Sequence, residues 1–294
     1  MAKVIKIIVS CVKTARPLNT AIVGCAVLLG MWLTGFASLS ACRGGMTVYN
    51  AVLLILAAMA ATAYGNAVND ILDVETDRVS HPDRPLVTGA MSVDAAAVFA
   101  AALAAVSLAF AAAASTFHAA ATLIPLTLLT MYSLYIKRTR LAGNVIVAVL
   151  TAYAILFGGL PHPYTKILFA PALLAFLLNF CREMVKDVQD AEGDRAAGFA
   201  TSAELPYPTI RRLLMFAGSA TLAAMWVPSL ILDDFGMVYN GVCVALVLPL
   251  HISWVMLALR SDFDKYVGRI GGILKAEMVA GLVALAADKF ILTL

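Results

Sequence analysis

The chain has 294 residues, 62% of them hydrophobic and 13% charged, with a formal net charge of +3 and a mean hydropathy of +0.90. Apolar runs of about 20 residues, the length a spanning helix needs, exclude a soluble globular protein and predict an all-α polytopic membrane protein. The five cysteines and four histidines show no paired or ligand-like spacing, which argues against a disulfide framework and a zinc site; the small positive charge gives no argument for nucleic acid.

Lys3, Lys6, Lys13 and Arg16 precede the first apolar run, as in a signal peptide, and Leu39-Ser-Ala-Cys42 is like a lipoprotein cleavage site. The run is about 22 residues, longer than the 7–15 of a signal core, so an uncleaved span is predicted over 18–40. Eight more follow at 48–69, 93–115, 118–136, 141–160, 164–185, 208–231, 236–259 and 270–292. Their short connections leave no room for a soluble domain, so residues 1–294 are expected to form one transmembrane domain of about nine helices. With the N-terminus inside, 18 of the 21 Lys and Arg fall on one face and only Arg43, Lys166 and Lys289 on the other. That asymmetry predicts a multi-pass protein of the cytoplasmic membrane with its N-terminus in the cytoplasm.

Span 2 ends in Asn69-Asp-Ile-Leu-Asp-Val-Glu-Thr-Asp-Arg78 and span 6 in Lys186-Asp-Val-Gln-Asp-Ala-Glu-Gly-Asp-Arg195. Asp70, Asp73 and Asp77 recur 117 residues later as Asp187, Asp190 and Asp194, and Glu75 and Arg78 recur as Glu192 and Arg195. Steps of three and four stack Asn66, Asn69, Asp70, Asp73 and Asp77 on one side of a helix, and Glu183, Asp187, Asp190 and Asp194 likewise. Span 2 is therefore expected to run on as a helix through its acids. An even number of spans separates the strings, so both emerge on the cytoplasmic face. One such string would pass for a solvated helix end, although acids there oppose the macrodipole. Two copies on one face need cations between them, and Mg2+ is expected, as a hard ion that bridges carboxylates to phosphates.

Bases accompany the acids: Arg78, Arg84 in the turn His81-Pro-Asp-Arg84-Pro, Lys137 and Arg138 between spans 4 and 5, and Arg182 and Lys186 in or beside the second stripe. Inner loops gather bases for topological reasons alone. Arg182 and Lys186 differ because charge within the stripe is placed to neutralise a departing diphosphate, which makes them catalytic candidates.

Asn69-Asp-x-x-Asp-x-x-x-Asp77, the Pro-Asp-Arg-Pro-Leu turn after it, and Lys186-Asp-x-x-Asp-x-x-x-Asp194 resemble the two signature motifs of the UbiA superfamily of intramembrane prenyltransferases. The resemblance covers nearly the whole chain. It implies Mg2+-dependent ionisation of a polyprenyl diphosphate and capture of the allylic cation by an acceptor. Asn69, Asp73, Asp77, Asp190 and Asp194 would then face the metal and diphosphate. Tyr132 and Lys137, in a Tyr-Ser-x-x-x-Lys pattern, resemble part of the family's diphosphate pocket. Arg78, Arg84, Arg138 and Glu183 join them as candidates for substrate binding, and Asp70 or Asp187 for taking the acceptor's proton.

Members acting on 4-hydroxybenzoate carry an Asp and a Tyr where this chain has Glu183 and Lys186. The second string is more similar to the branch that geranylgeranylates geranylgeranylglyceryl phosphate, forming the second ether bond of archaeal-type lipids. A lipid-phosphate acceptor would give Arg182 an anion to bind. Homogentisate and chlorophyll-type members share part of the string, so an aromatic or quinone-type acceptor stays open. The expected partners are the donor, the acceptor and the bilayer, with no obligate protein partner. A cation-coupled transporter is the remote alternative; it would bury ionisable groups at mid-span, where these spans are almost free of charge.

Overall fold

The computed structural model describes residues 2–36, 47–161, 165–196 and 198–291. Cys42, Arg43 and the last residues of the first and ninth spans as read from the sequence lie outside them. All regular structure among the described residues is helical. Among the described residues nine helices are long and apolar enough to cross a membrane: Pro17–Gly35, Val48–Leu72, Val93–Ala114, Thr116–Leu134, Ala142–Gly159, Lys166–Ala196, Tyr207–Leu230, Met237–Ala258 and Phe263–Phe290. The sixth runs well beyond the expected end at 185 and carries the whole second acidic string.

The chain divides into two compact units. The first comprises Met1–Cys25, Thr47–Thr139 and Asp190–Thr201. It begins with α1 (Ala2–Ala15) and the start of α2 (Pro17–Met31). Between them Arg16 adopts a left-handed φ of 54°, and Pro17 opens α2, where its missing N–H is no loss. Then come α3 (Val48–Leu72), α4 (Val74–Ser80), α5 (Val93–Ala114) and α6 (Thr116–Leu134). Thr47 and Ser92 start α3 and α5 by accepting from the N–H groups of Asn50 and Ala95, the usual hydroxyl cap. α3 packs chiefly on α5, and both bury small side chains: Ala57, Ala61 and Ala67 on α3, and Ala96, Ala100, Ser107 and Ala111 on α5. Such residues let helix backbones approach closely in a membrane, and the Ser107 hydroxyl donates to the Ala57 carbonyl at 2.8 Å.

The second unit comprises Ala26–Met46, Arg140–Gln189 and Ser202–Leu294. Its helices are the rest of α2, α7 (Ala142–Gly159), α8 (Phe169–Ala196) as far as Gln189, α9 (Tyr207–Leu230), α10 (Met237–Val242), α11 (Leu248–Ala258) and α12 (Val267–Ile291). α2 and α7 cross at glycine: a Cβ on Gly30 would stand 2.0 Å from the Ile155 carbonyl oxygen, and one on Gly158 2.0 Å from that of Val27. One side of α8, with Cys181, Met184 and Val185, packs with Ile210 and Leu214 of α9, Trp254 of α11 and Ile270 of α12.

Within this core lies a group that the sequence reading passed over when it found the spans almost free of charge. Glu277 of α12 is fully buried. Its carboxylate accepts from Trp254 Nε1 at 2.7 Å and lies 2.7 Å from His251 Nδ1. A buried carboxylate needs such partners, so this acid serves as a clamp between α11 and α12.

Candidate active site

The first acidic string does not continue as one helix. α3 ends at Leu72, and Asp73 (φ −100°, ψ 10°) is both its C-cap and the N-cap of α4. The break has an electrostatic reason. Acids are unfavourable at a helix C-terminus and favourable at an N-terminus; restarting the helix moves Glu75 and Asp77 into the first turn of α4. The expected stripe nevertheless survives the break. Asn69, Asp70, Asp73, Thr76 and Asp77 are all buried, while Glu75 and Arg78 turn outward.

Each buried carboxylate meets a base from another segment. Lys137, in the turn after α6, pairs with Asp73, whose Oδ2 also accepts from Asn69 Nδ2 at 2.5 Å. Arg84 pairs with Asp77 and reaches Asp70 Oδ1 at 3.2 Å. Arg16 pairs with Asp70 as well, and its second nitrogen reaches Asn66 Oδ1 at 3.3 Å. Asn66 answers by donating to the Ala15 carbonyl at 3.0 Å, which fastens the α1–α2 joint to α3. Three carboxylates thus face three cations. Burial pushes the Asp77 carboxyl above its usual range, opposed chiefly by the adjacent Arg84.

The last turns of α8 join the same unit. His81 Nε2 stands 3.2 Å from Asp190 Oδ1, and a Cβ on Gly193 would lie 2.1 Å from Ser80 Oγ and 2.8 Å from the Thr76 carbonyl oxygen. Only glycine lets the end of α8 lie directly on α4, so the ends of the two strings meet there. Asp194 is buried in the final turn. Phe199, just beyond, lies under both Lys137 and Arg138, whose charged groups are 5.7 and 4.8 Å from its ring centre. Tyr132 is half-buried on α6.

Other candidates belong to the second unit. Glu183 is buried and accepts from Arg182 Nη1 at 2.5 Å, with Lys186 Nζ 3.9 Å from its other oxygen. Asp187 Oδ2 accepts from Asn144 Nδ2 at 2.9 Å, from Ser202 Oγ at 2.6 Å and from the Ser202 N–H at 3.2 Å. That oxygen ties the turn at Ser202 to α7 and α8. Among the described residues no three His, Cys, Asp or Glu side chains converge on one point, because the acids of the strings are turned toward bases and other donors.

Residues 22–266 match the UbiA prenyltransferase family. This chain belongs to that family. It is similar to the digeranylgeranylglyceryl phosphate synthase of Methanoculleus marisnigri, with 31% identity over 280 residues, 94% of this chain and 96% of the relative. Its fold is like that of a solved structure described as giving insights into the biosynthesis of digeranylgeranylglyceryl phosphate synthase in membranes. The TM-score is 0.75 at 23% identity, over 99% of this chain and 100% of the other. It is also like a UbiA homolog from Archaeoglobus fulgidus bound to GPP and Mg2+, with a TM-score of 0.62 at 19% identity, over 94% of this chain and 99% of that one. The chain is a multi-pass membrane prenyltransferase.

Two features of this UbiA protein depart from the sequence reading. Arg16, counted there only as an inner-face base, holds Asp70; the signal was its place before Pro17, at a joint where the chain must turn. Arg78, a candidate for substrate binding, is exposed and pairs with Glu75 at 3.1 Å on the outer side of α4. The helical step that buries Asp73 and Asp77 carries position 78 away from them.

Proposed function

We propose that this prenyltransferase moves a geranylgeranyl group from its diphosphate to the free hydroxyl of geranylgeranylglyceryl phosphate, forming a second ether bond. In this reading residues 1–294 act as one domain in the cytoplasmic membrane, with the N-terminus and the site on the cytoplasmic side. The observation that carries it is the buried group of three acids and three bases at the first string, in a chain similar over its length to a digeranylgeranylglyceryl phosphate synthase.

The donor set suits a hard cation. Asp73, Asp77 and the amide of Asn69 in the first string, with Asp190 and Asp194 in the second, offer oxygen ligands of the kind Mg2+ takes. When bound, the ion supplies positive charge that stabilises the departing diphosphate. The A. fulgidus homolog, bound to GPP and Mg2+, supports the assignment.

The chain's own residues would do the rest. Arg84 and Lys137, held on Asp77, Asp70 and Asp73 in the free protein, would turn to the phosphate oxygens of the arriving donor, leaving the carboxylates to the cation. Arg16 remains to hold Asp70. The bond between the allylic carbon and the diphosphate oxygen breaks, its electron pair leaving with the diphosphate. The acceptor's hydroxyl oxygen bonds to that carbon and gives up its proton. A nearly free allylic cation asks little of a base, and Asp70, once Arg84 has moved, is the better placed of the two proposed proton acceptors; Asp187 keeps three donors on one oxygen. Arg182 and Lys186, both beside the carboxylate of Glu183, would bind the acceptor's phosphate.

The test is mass spectrometry of products from the purified protein with geranylgeranyl diphosphate, Mg2+ and a panel of acceptors. Prenylated geranylgeranylglyceryl phosphate is the expected product. Prenylated 4-hydroxybenzoate or homogentisate, with no lipid product, would overturn the acceptor while leaving the family chemistry in place.

A further inference from the structure

α8 has two unlike sides. Leu178, Cys181, Met184, Val185 and Val188 pack into the core of the second unit. At about 100° per residue, Asn179, Arg182, Glu183 and Lys186 fall on the opposite side, which the spacing continues to Asp190 and Asp194. Asn179 is the member of this stripe farthest from the end of the helix, one turn or about 6 Å beyond Glu183.

Asn179 is 3% exposed, and its amide nitrogen Nδ2 has no hydrogen-bond partner among the described residues. Among the described residues Trp32 Nε1, Ser133 Oγ, Arg211 Nε and Asn240 Oδ1 are likewise buried within the spans without a partner, but none of them lies on this stripe, and several other polar groups are settled. Thr62, Thr151 and Thr221 each donate to a carbonyl one turn back, and Asn144 donates to Asp187. A buried amide donor left unpaired is destabilising, and polar side chains inside membrane spans mark substrate paths as well as helix contacts.

We propose that Asn179 is a specificity-determining residue that donates from Nδ2 to the ether oxygen of the acceptor lipid, a role that rests on the glyceryl phosphate acceptor proposed above. The acceptor's phosphate goes to Arg182 and Lys186, and its prenyl chain belongs in the apolar part of the protein. The ether oxygen lies between the two, at the level of Asn179. An ether oxygen only accepts hydrogen bonds, which matches a group whose unsatisfied atom only donates. 4-Hydroxybenzoate and homogentisate carry no ether oxygen.

The experiment compares geranylgeranylglyceryl phosphate with an analogue in which methylene replaces the ether oxygen, using wild type and Asn179→Leu, with kcat, KM and Tm measured for each. Wild type should favour the ether acceptor by about 5- to 10-fold in kcat/KM, the worth of one neutral hydrogen bond. Asn179→Leu should treat both acceptors alike through a raised KM for the ether compound, with a Tm equal to or above wild type because the unpaired donor is gone. A lowered Tm with equal losses on both acceptors would mean a structural role and overturn the proposal. So would a wild type that turns over both without preference, a result the mutant's folding cannot affect. If wild type turns over neither but prenylates an aromatic acceptor, the acceptor reading itself falls and this role falls with it.

Discussion

The two acidic strings share their spacing and differ in what satisfies them. In the first, Asp70, Asp73 and Asp77 take their bases from three other segments: Arg16 before span 1, Arg84 in the following turn, and Lys137 after α6. In the second, Glu183 takes Arg182 and Lys186 from its own helix, Asp187 takes uncharged donors, and Asp190 meets His81 from the turn after the first string. A repeated spacing fixes which side of a helix carries the acids; the rest of the fold decides what each acid meets. The consequence is mechanistic. A base that leaves a buried carboxylate for a bound diphosphate would exchange one buried ion pair for another, so the base itself need not be drawn from water at that step.

If the strings act as one site despite these different settings, losing an acid from either should cost about the same. Asp73→Ala and Asp190→Ala are each expected to lower turnover by about 100-fold or more, the scale of removing an electrostatic element of the transition state. EDTA should abolish turnover, and added Mg2+ should restore it. Full activity in either variant would confine the chemistry to one string.

The strings should differ in what their bases do for stability. Lys137→Ala leaves Asp73, 3% exposed, without its cation, and breaking a buried pair in this way costs about 3–5 kcal/mol. Adding Asp73→Asn should recover much of the loss in Tm and none of the activity. Lys186→Ala, which removes a half-exposed cation 3.9 Å from Glu183, should change Tm far less, since pairs near solvent contribute about 0–1 kcal/mol. Equal losses in the two variants would erase the contrast.

The fold was legible where a physical rule acts locally. Apolar runs and the sidedness of Lys and Arg are sufficient for nine spans, and steps of three and four place Asn69, Asp73 and Asp77 on one side. Arg182 beside Glu183 could also be read, because both sit on one helix. What was not legible depends on segments far apart in the chain. Arg16 reaches Asp70 across 54 residues and Lys137 reaches Asp73 across 64, and no spacing rule links them. The helix break at Asp73 was missed because periodicity alone ignores the macrodipole, although the acids after it carried that signal. Glu277 was missed because one acid in an apolar span looks like noise until Trp254 and His251 are seen beside it. Asp187 illustrates the converse: its spacing marks it as a member of the string, and only the fold reveals its hold on Ser202.

Arg16 and Arg182 sharpen the comparison at the level of binding. Each contacts a polar residue on the membrane side of its acidic string, Asn66 or Glu183, yet Arg182 is proposed to bind the acceptor and Arg16 to act on the donor through Asp70. Arg182→Ala should raise the acceptor's KM by roughly 10- to 150-fold, the worth of one charged hydrogen bond, and leave the donor's KM nearly unchanged. Arg16→Ala should do the reverse, raising the donor's KM by about 10-fold, because Asp70 without it would keep Arg84 from the phosphate. Steady-state kinetics with each substrate varied in turn decides; a rise in the same KM for both variants would break the division.

The smallest effect is expected at the pair the two strings share outright, Glu75–Arg78 and its counterpart Glu192–Arg195. Arg78 and Glu75 are exposed at 61% and 74% and lie 3.1 Å apart, and Glu192 and Arg195 are exposed as well. Solvent screens the Glu75–Arg78 pair, which leaves it worth about 0–1 kcal/mol. Arg78→Ala should therefore keep turnover and both KM values within about 2-fold and leave Tm within a degree or two. A single cysteine at Glu75, in a background without the native cysteines, should react with a membrane-impermeant reagent added from the cytoplasmic side and be protected from the other. Labelling from the opposite side would reverse the topology. A large loss of activity in Arg78→Ala would show that the outer side of α4, which the fold turns away from the acids, also meets substrate.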